Sequence, residues 1–222
     1  MGAMARIPRL HLIEPGFPTH VVLRGNNRRK LFSYPSCYAT AVRYLRDAQL
    51  RTDCLLYAAA ILSNHLHLVL DPPEPTALSG FVHRFSQRYA VYRNASRGGS
   101  GKLFEERFTS VPIRSDRQLA ATLAYVELNP VRAGLSDDPA EHRWSTYRLH
   151  ARRPGGVEPF EGLWSPCAWY ETLAPSAAER GPRYAEFVRD RLQSTVDLAR
   201  ESLDRPSVVL GADRRPNRRR AW

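Results

Sequence analysis

The 222-residue sequence is poor in cysteine, almost without lysine, and free of long apolar runs, and each shortage closes off a class of protein. Its three cysteines, Cys37, Cys54 and Cys167, are too few and too scattered for a disulfide framework or a Cys-rich zinc site. None has the sequence context of a nucleophile, so they read as packing thiols. No stretch approaches the ~18 consecutive apolar residues that a membrane-spanning helix needs. The chain opens on no signal-peptide pattern, which leads us to expect a cytosolic protein. No internal repeat is visible, and there is no RNP-type aromatic motif of the common RNA-binding module.

Lysine occurs only at Lys30 and Lys102, and every other basic side chain is arginine. The formal net charge is +11 and the pI about 10.1. Arginine presents a planar fork that grips phosphate in two places and stacks on bases, so a polyanionic partner, nucleic acid first, is expected. Codon bias with an ordinary basic surface would produce the same count. With 43% hydrophobic and 25% charged residues, the composition is that of a folded, soluble domain.

Along the chain, Thr19 to Gly25 alternates and is β-branched, which predicts a strand, followed by the basic turn Asn26-Asn27-Arg28-Arg29-Lys30. Pro35 lies near the start of a helix whose Val42, Leu45 and Ala48 share a face. Leu55 to Leu62 and His65 to Leu70 predict two strands of a hairpin around Ser63-Asn64. Thr76 opens a second helix carrying Leu78, Phe81, Phe85, Tyr89 and Tyr92, and Gly98-Gly99-Ser100-Gly101 is a loop. Phe108 to Ile113 predicts a strand, and Asp116 to Leu128 a helix stopped by Asn129-Pro130. The first six elements follow the order of a ferredoxin-like α+β sandwich: a central antiparallel sheet carrying the His-X-His strand, helices on one face, and a helical C-terminal extension.

The expected organisation is a tag scar and N-terminal arm over 1–17, a catalytic domain over 18–150, an extension over 151–213 and a basic tail over 214–222. The extension contains a helix over Ala177 to Leu203.

Two spacings suggest chemistry. In a strand, His65 and His67 project from one face, with Leu66 on the other, and two imidazoles on one face can chelate a divalent ion. Two unrelated surface or core histidines are the bland alternative. Tyr125 and Asn129 are one helical turn apart and share a face. An ordinary aromatic and a helix-terminal Asn before Pro130 would look the same. A phenol ionises at ~10, so attack on phosphorus needs help, which a phosphate-bound ion supplies as a Lewis acid.

The segments LSNHLHLVLD, RGNNRRKLF, GKLFEERFTSV, LAYVELNPVRAGL and HRWSTYR carry a resemblance. Over about Pro18 to His150 the chain resembles single-tyrosine HUH transposases, most closely the branch called REP-associated tyrosine transposases. Those enzymes act on repetitive palindromic elements of bacterial genomes. The resemblance implies that His65, His67 and Asn129 hold Mg²⁺ or Mn²⁺ and that Tyr125 is the nucleophile. It implies cleavage and rejoining of single-stranded DNA beside a hairpin through a 5′-phosphotyrosine, in the bacterial cytoplasm near the nucleoid, by a monomer or homodimer with no membrane partner.

By charge and analogy, Arg24, Asn26, Asn27, Arg28, Arg107 and Arg132 are expected to hold DNA, against the alternative of a solvated turn for the first four. Phe108, Trp144 and Tyr147 read as packing residues. A binding module that grips a DNA or RNA hairpin without cutting is the competing reading. A relaxase or replication initiator fits less well, because Tyr125 follows the histidines and the chain is small.

Overall fold

The computed structural model describes residues 16–105, 108–152 and 156–204, with side chains to 193. Arg107 and the basic tail over 214–222 lie outside the described residues, as does most of the expected N-terminal arm. The strands are β1 (Thr19–Arg24), β2 (Leu55–Ile61), β3 (His65–Asp71) and β4 (Thr109–Pro112). The helices are α1 (Pro35–Thr52), α2 (Pro75–Arg97), α3 (Asp116–Arg132), α4 (Tyr147–His150), α5 (Ala168–Thr172) and α6 (Ala177–Asp204). The sheet order is β2-β3-β1-β4 with every pairing antiparallel, which is the ferredoxin-like arrangement. Among the described residues, no helix is long and apolar enough to cross a membrane.

Alternation along the strands divides the interior in two. Leu66, Leu68 and Leu70 point to a core shared with Val21 and Leu23 of β1 and with α1 and α2. Val69, Ala58 and Ala60 point the other way, into a core with Leu123, Ala124 and Val126 of α3 and Tyr184 of α6. The two crossover helices thus cover one face as expected, and α3 with the C-terminal extension covers the other. A bulge between Leu56 and Ala58 lets Tyr57 and Ala58 both face that second core.

Although β2 is an edge strand, its residues from Leu56 onward are buried. Later segments close the edge. Trp144 O accepts from Ile61 N at 2.9 Å, Thr146 N donates to Ala59 O at 3.0 Å, and Ser165 N donates to Leu56 O at 2.8 Å. Covering an edge in this way blocks pairing with another chain. The other edge strand, β4, spans four residues and ends on Pro112, which offers no ladder donor.

One boundary differs from expectation. Helix α3 does not stop at Asn129 but runs through Pro130 to Arg132. Pro130 is buried, and its missing N–H falls in the last turn, where the loss is a single ladder bond. Asn129 Nδ2 also ties back to Tyr125 O at 2.7 Å. At its start the helix is capped by Ser115, whose hydroxyl accepts from Gln118 N at 3.2 Å while Gln118 Oε1 accepts from Arg114 N at 2.9 Å.

Candidate active site

The register of β1 on β3 sets Val22 opposite His67 and Arg24 opposite His65, with His20 opposite Val69. All these side chains fall on the α3 side of the sheet. Tyr125 of α3 is brought to this face: its ring lies 5.8 Å from the His67 ring and 5.8 Å from the His20 ring, edge-on to both. The two candidate ligands stand 4.9 Å apart between ring centroids. His67 is buried, His65 half-buried, and Tyr125 is 42% exposed, which leaves its ring open to a large substrate.

The outer nitrogens of the imidazoles are assigned by their neighbours. His65 Nδ1 is 2.7 Å from Asn64 Oδ1, an acceptor, so Nδ1 carries the proton and Nε2 holds the lone pair. His67 Nδ1 is 3.0 Å from His20 Nε2. Burial holds His20 at about 4. It takes His67 to about 3, helped by the charges of His20, His65 and Arg24. Burial and then Arg24 also hold His65 below its ordinary value. All three rings are therefore neutral near pH 7, the state that metal ligation requires.

Asn129 follows Tyr125 by one turn, and with Nδ2 bonded to Tyr125 O its Oδ1 remains as the acceptor. Among the described residues, no group of three or more His, Cys, Asp or Glu side chains converges as a metal cluster. The expected donor set is of another composition, two imidazoles and an amide oxygen, because His20 is spent on His67. Those donors fit a divalent ion, with Mn²⁺ better matched to imidazole than Mg²⁺.

Arg132 lies two turns beyond Tyr125 on the same helix face, and its Cζ is 4.9 Å from the phenol ring centroid. Arg24 is exposed at the mouth of the site. The loop after it is a single 3-10 turn, Asn26–Arg28, in which Asn27 and Arg28 adopt φ of 54° and 54°. Gly25 permits the turn, since a Cβ there would stand 2.5 Å from Arg29 O. Gly25 N donates to Asn64 O at 2.9 Å, which ties this exposed loop to the residue that orients His65. Arg24, Asn26, Asn27, Arg28 and Arg132 thus surround the histidine face.

Two features were missed in the sequence. His20 carries a signal, the same strand parity as Arg24, but nothing in the sequence reports that β1 pairs with β3. The other is a polar network behind α3. Glu127 Oε1 accepts from His150 Nδ1 at 2.7 Å and Thr146 Oγ1 at 2.5 Å, and Glu127 Oε2 accepts from Tyr184 OH at 2.7 Å. Trp164 Nε1 donates to His150 Nε2 at 3.3 Å, and Glu127 and His150 are fully buried. Glu127 lies between Tyr125 and Asn129 in the helix, so the network pins the back of the segment that carries both. The three cysteines are buried and unbonded, as packing thiols should be.

Residues 16–129 match the model of a protein family described as "Transposase IS200 like". No curated protein matches the chain. Among solved structures, one described as "Structure of the REP associates tyrosine transposase bound to a REP hairpin" is similar at 17% identity. The match covers 74% of this chain and 89% of that chain, with a TM-score of 0.53, and it carries the fold.

Proposed function

The chain belongs to the IS200-like transposase family, and on that premise we propose that it cuts and rejoins single-stranded DNA beside a hairpin with Tyr125 as nucleophile. The observation that carries this reading is the meeting of Tyr125 with His67 and His20 at 5.8 Å each, on an open face ringed by Arg24 and Arg132. The solved relative is described with a REP hairpin bound, and a repetitive palindromic hairpin is the substrate class we assign here.

In this reading, Tyr125 Oη forms a bond to phosphorus as the bond to the 3′-oxygen breaks. The DNA 5′ end is left as a phosphotyrosine, the 3′ end departs as a hydroxyl, and the phenolic proton passes to solvent at the exposed ring. A later 3′-hydroxyl reverses the step, so the bond energy is kept without ATP. His65, His67 and Asn129 would hold Mn²⁺ or Mg²⁺, which when bound supplies Lewis-acid neutralisation of the scissile phosphate. Arg132 and Arg24 hold the phosphate backbone at the mouth, and Asn26, Asn27 and Arg28 contact bases or phosphates beside it. Arg107 is assigned to the same DNA surface by charge.

The test is a covalent-adduct assay on hairpin oligonucleotides taken from repetitive palindromes of the source genome, with Mn²⁺ or Mg²⁺. A protease-sensitive, shifted band lost in Tyr125→Phe and His65→Ala is expected. Tight hairpin binding with no adduct under any condition would replace this reading with that of a non-cutting hairpin-binding module.

A further inference from the structure

Away from the histidine face, a column of rings leads from the core to the surface. Fully buried Phe32 lies 5.3 Å from Tyr38, and Tyr38 stacks on Trp144 at 5.1 Å and 20°. A guanidinium ends the column: Arg143 Cζ is 5.1 Å from the Trp144 ring centroid, and Arg143 is exposed. Beside it opens a groove of about 280 Å³ whose floor includes Val42, Val157 and Pro159 and whose cations are Arg43, Arg46 and Arg143. No carboxylate lines it, and Val157 is 85% exposed.

A solvated charged face does not keep apolar side chains on display, and a core does not hold three guanidinium groups. An apolar floor rimmed by arginine fits a ligand with flat apolar faces and phosphates. Arg143 is already stacked on Trp144, so its rotamer freedom is spent before a ligand arrives, and its outer plane can stack on a base. Arg46 is braced as well, donating from Nη2 to Glu161 O at 2.9 Å.

The groove opens at the end of the sheet where the candidate site begins. Trp144 O accepts from Ile61 N at 2.9 Å, and His142 Nε2 meets Ile61 O at 2.9 Å. Three residues separate Ile61, the last of β2, from His65, the first of β3.

We propose that this groove binds the single-stranded DNA flanking the hairpin, with an unpaired base on the Arg143 plane and phosphates on Arg43 and Arg46. The proposal rests on the DNA reading given above. It places the flank on the α1 side of the β2–β3 turn and the scissile phosphate on the α3 side.

The experiment is a fluorescence-anisotropy titration in a Tyr125→Phe background, with a labelled hairpin that either carries or lacks a single-stranded flank. Combining Arg43→Ala with Arg143→Ala should weaken binding of the flanked hairpin about tenfold. It should also flatten the log–log salt slope by about 0.7 for each arginine removed, leaving the flankless hairpin unaffected. Arg143→Lys should restore the slope but only part of the affinity, because an ammonium has no stacking plane. Both arginines are exposed, and unchanged melting temperatures confirm that the variants fold. Flanked-hairpin binding indistinguishable from the parent's overturns the proposal, and so does an equal loss on both hairpins, which would assign the groove to the stem. Should the parent bind neither oligonucleotide, the DNA reading itself fails and takes this one with it.

Discussion

His20 Nε2 and His67 Nδ1 lie 3.0 Å apart, joining the first strand of the sheet to the strand of the His-X-His pair. For His67 to offer Nε2 to a metal, its Nδ1 must carry the proton and donate it to His20. That makes His20 the group that selects the tautomer and aim of a candidate ligand, the arrangement found around metal-bound histidines generally.

Removing that partner should weaken the metal site without emptying it. His20→Ala is expected to lower Mn²⁺ affinity by about 10–100-fold in isothermal titration. His83→Ala, at an exposed position on α2, is the control and should change nothing. Equal affinity in wild type and His20→Ala would remove His20 from the site.

Ligand chemistry also predicts the order of ions. Two imidazoles and one amide oxygen suit Mn²⁺ better than Mg²⁺, which prefers oxygen and gives up water reluctantly. Titration should show tighter Mn²⁺ than Mg²⁺ binding, and both ions should support adduct formation. Tighter Mg²⁺ binding would mean that oxygen ligands other than Asn129 dominate.

Burial of neutral histidines makes stability depend on pH. His20 is held at about 4 and His67 at about 3, whereas both titrate near 6.5 in an unfolded chain. Between those values the unfolded state binds protons that the native state does not, so stability falls as pH is lowered through 6.5. Melting temperatures measured without metal should drop from pH 7 to pH 5. The drop should be smaller in a His20→Asn, His67→Asn variant, and an identical slope in the two proteins would refute the assignment.

The network behind α3 sets a different expectation. Glu127→Ala would leave the buried donors of His150, Thr146 and Tyr184 without their acceptor. A loss of roughly 3–5 kcal/mol in urea denaturation is expected, because each orphaned buried group keeps its full desolvation cost. A loss under about 1 kcal/mol would mean that the cavity fills with water and re-satisfies the donors.

The strands and helices were legible because their periods are written in consecutive residues. The run His65 to Leu70 alternates between imidazole or valine on one side and leucine on the other, and the structure sends the two sets to different cores. The pairing of Tyr125 with Asn129 followed from a four-residue spacing on one helix. Arg132 could not be placed in this way. Local preference ends a helix before a proline, and the burial of Pro130 at the last turn overrides it. That extra turn is what lays the Arg132 guanidinium over Tyr125.

By itself, then, the sequence determined the order of elements, the shared faces of His65 with His67 and of Tyr125 with Asn129, and the arginine-rich charge. All of these depend on residues within a turn or a strand of one another. Only the tertiary structure decided that His20 meets His67, that Arg132 covers Tyr125, that Tyr184 of the C-terminal extension reaches Glu127, and that Arg143 ends a column begun at Phe32. Strand register and the docking of α6 join residues tens of positions apart, such as Glu127 and Tyr184. Their contacts arise from the cooperative burial of two cores, and no local pattern encodes which distant side chain arrives.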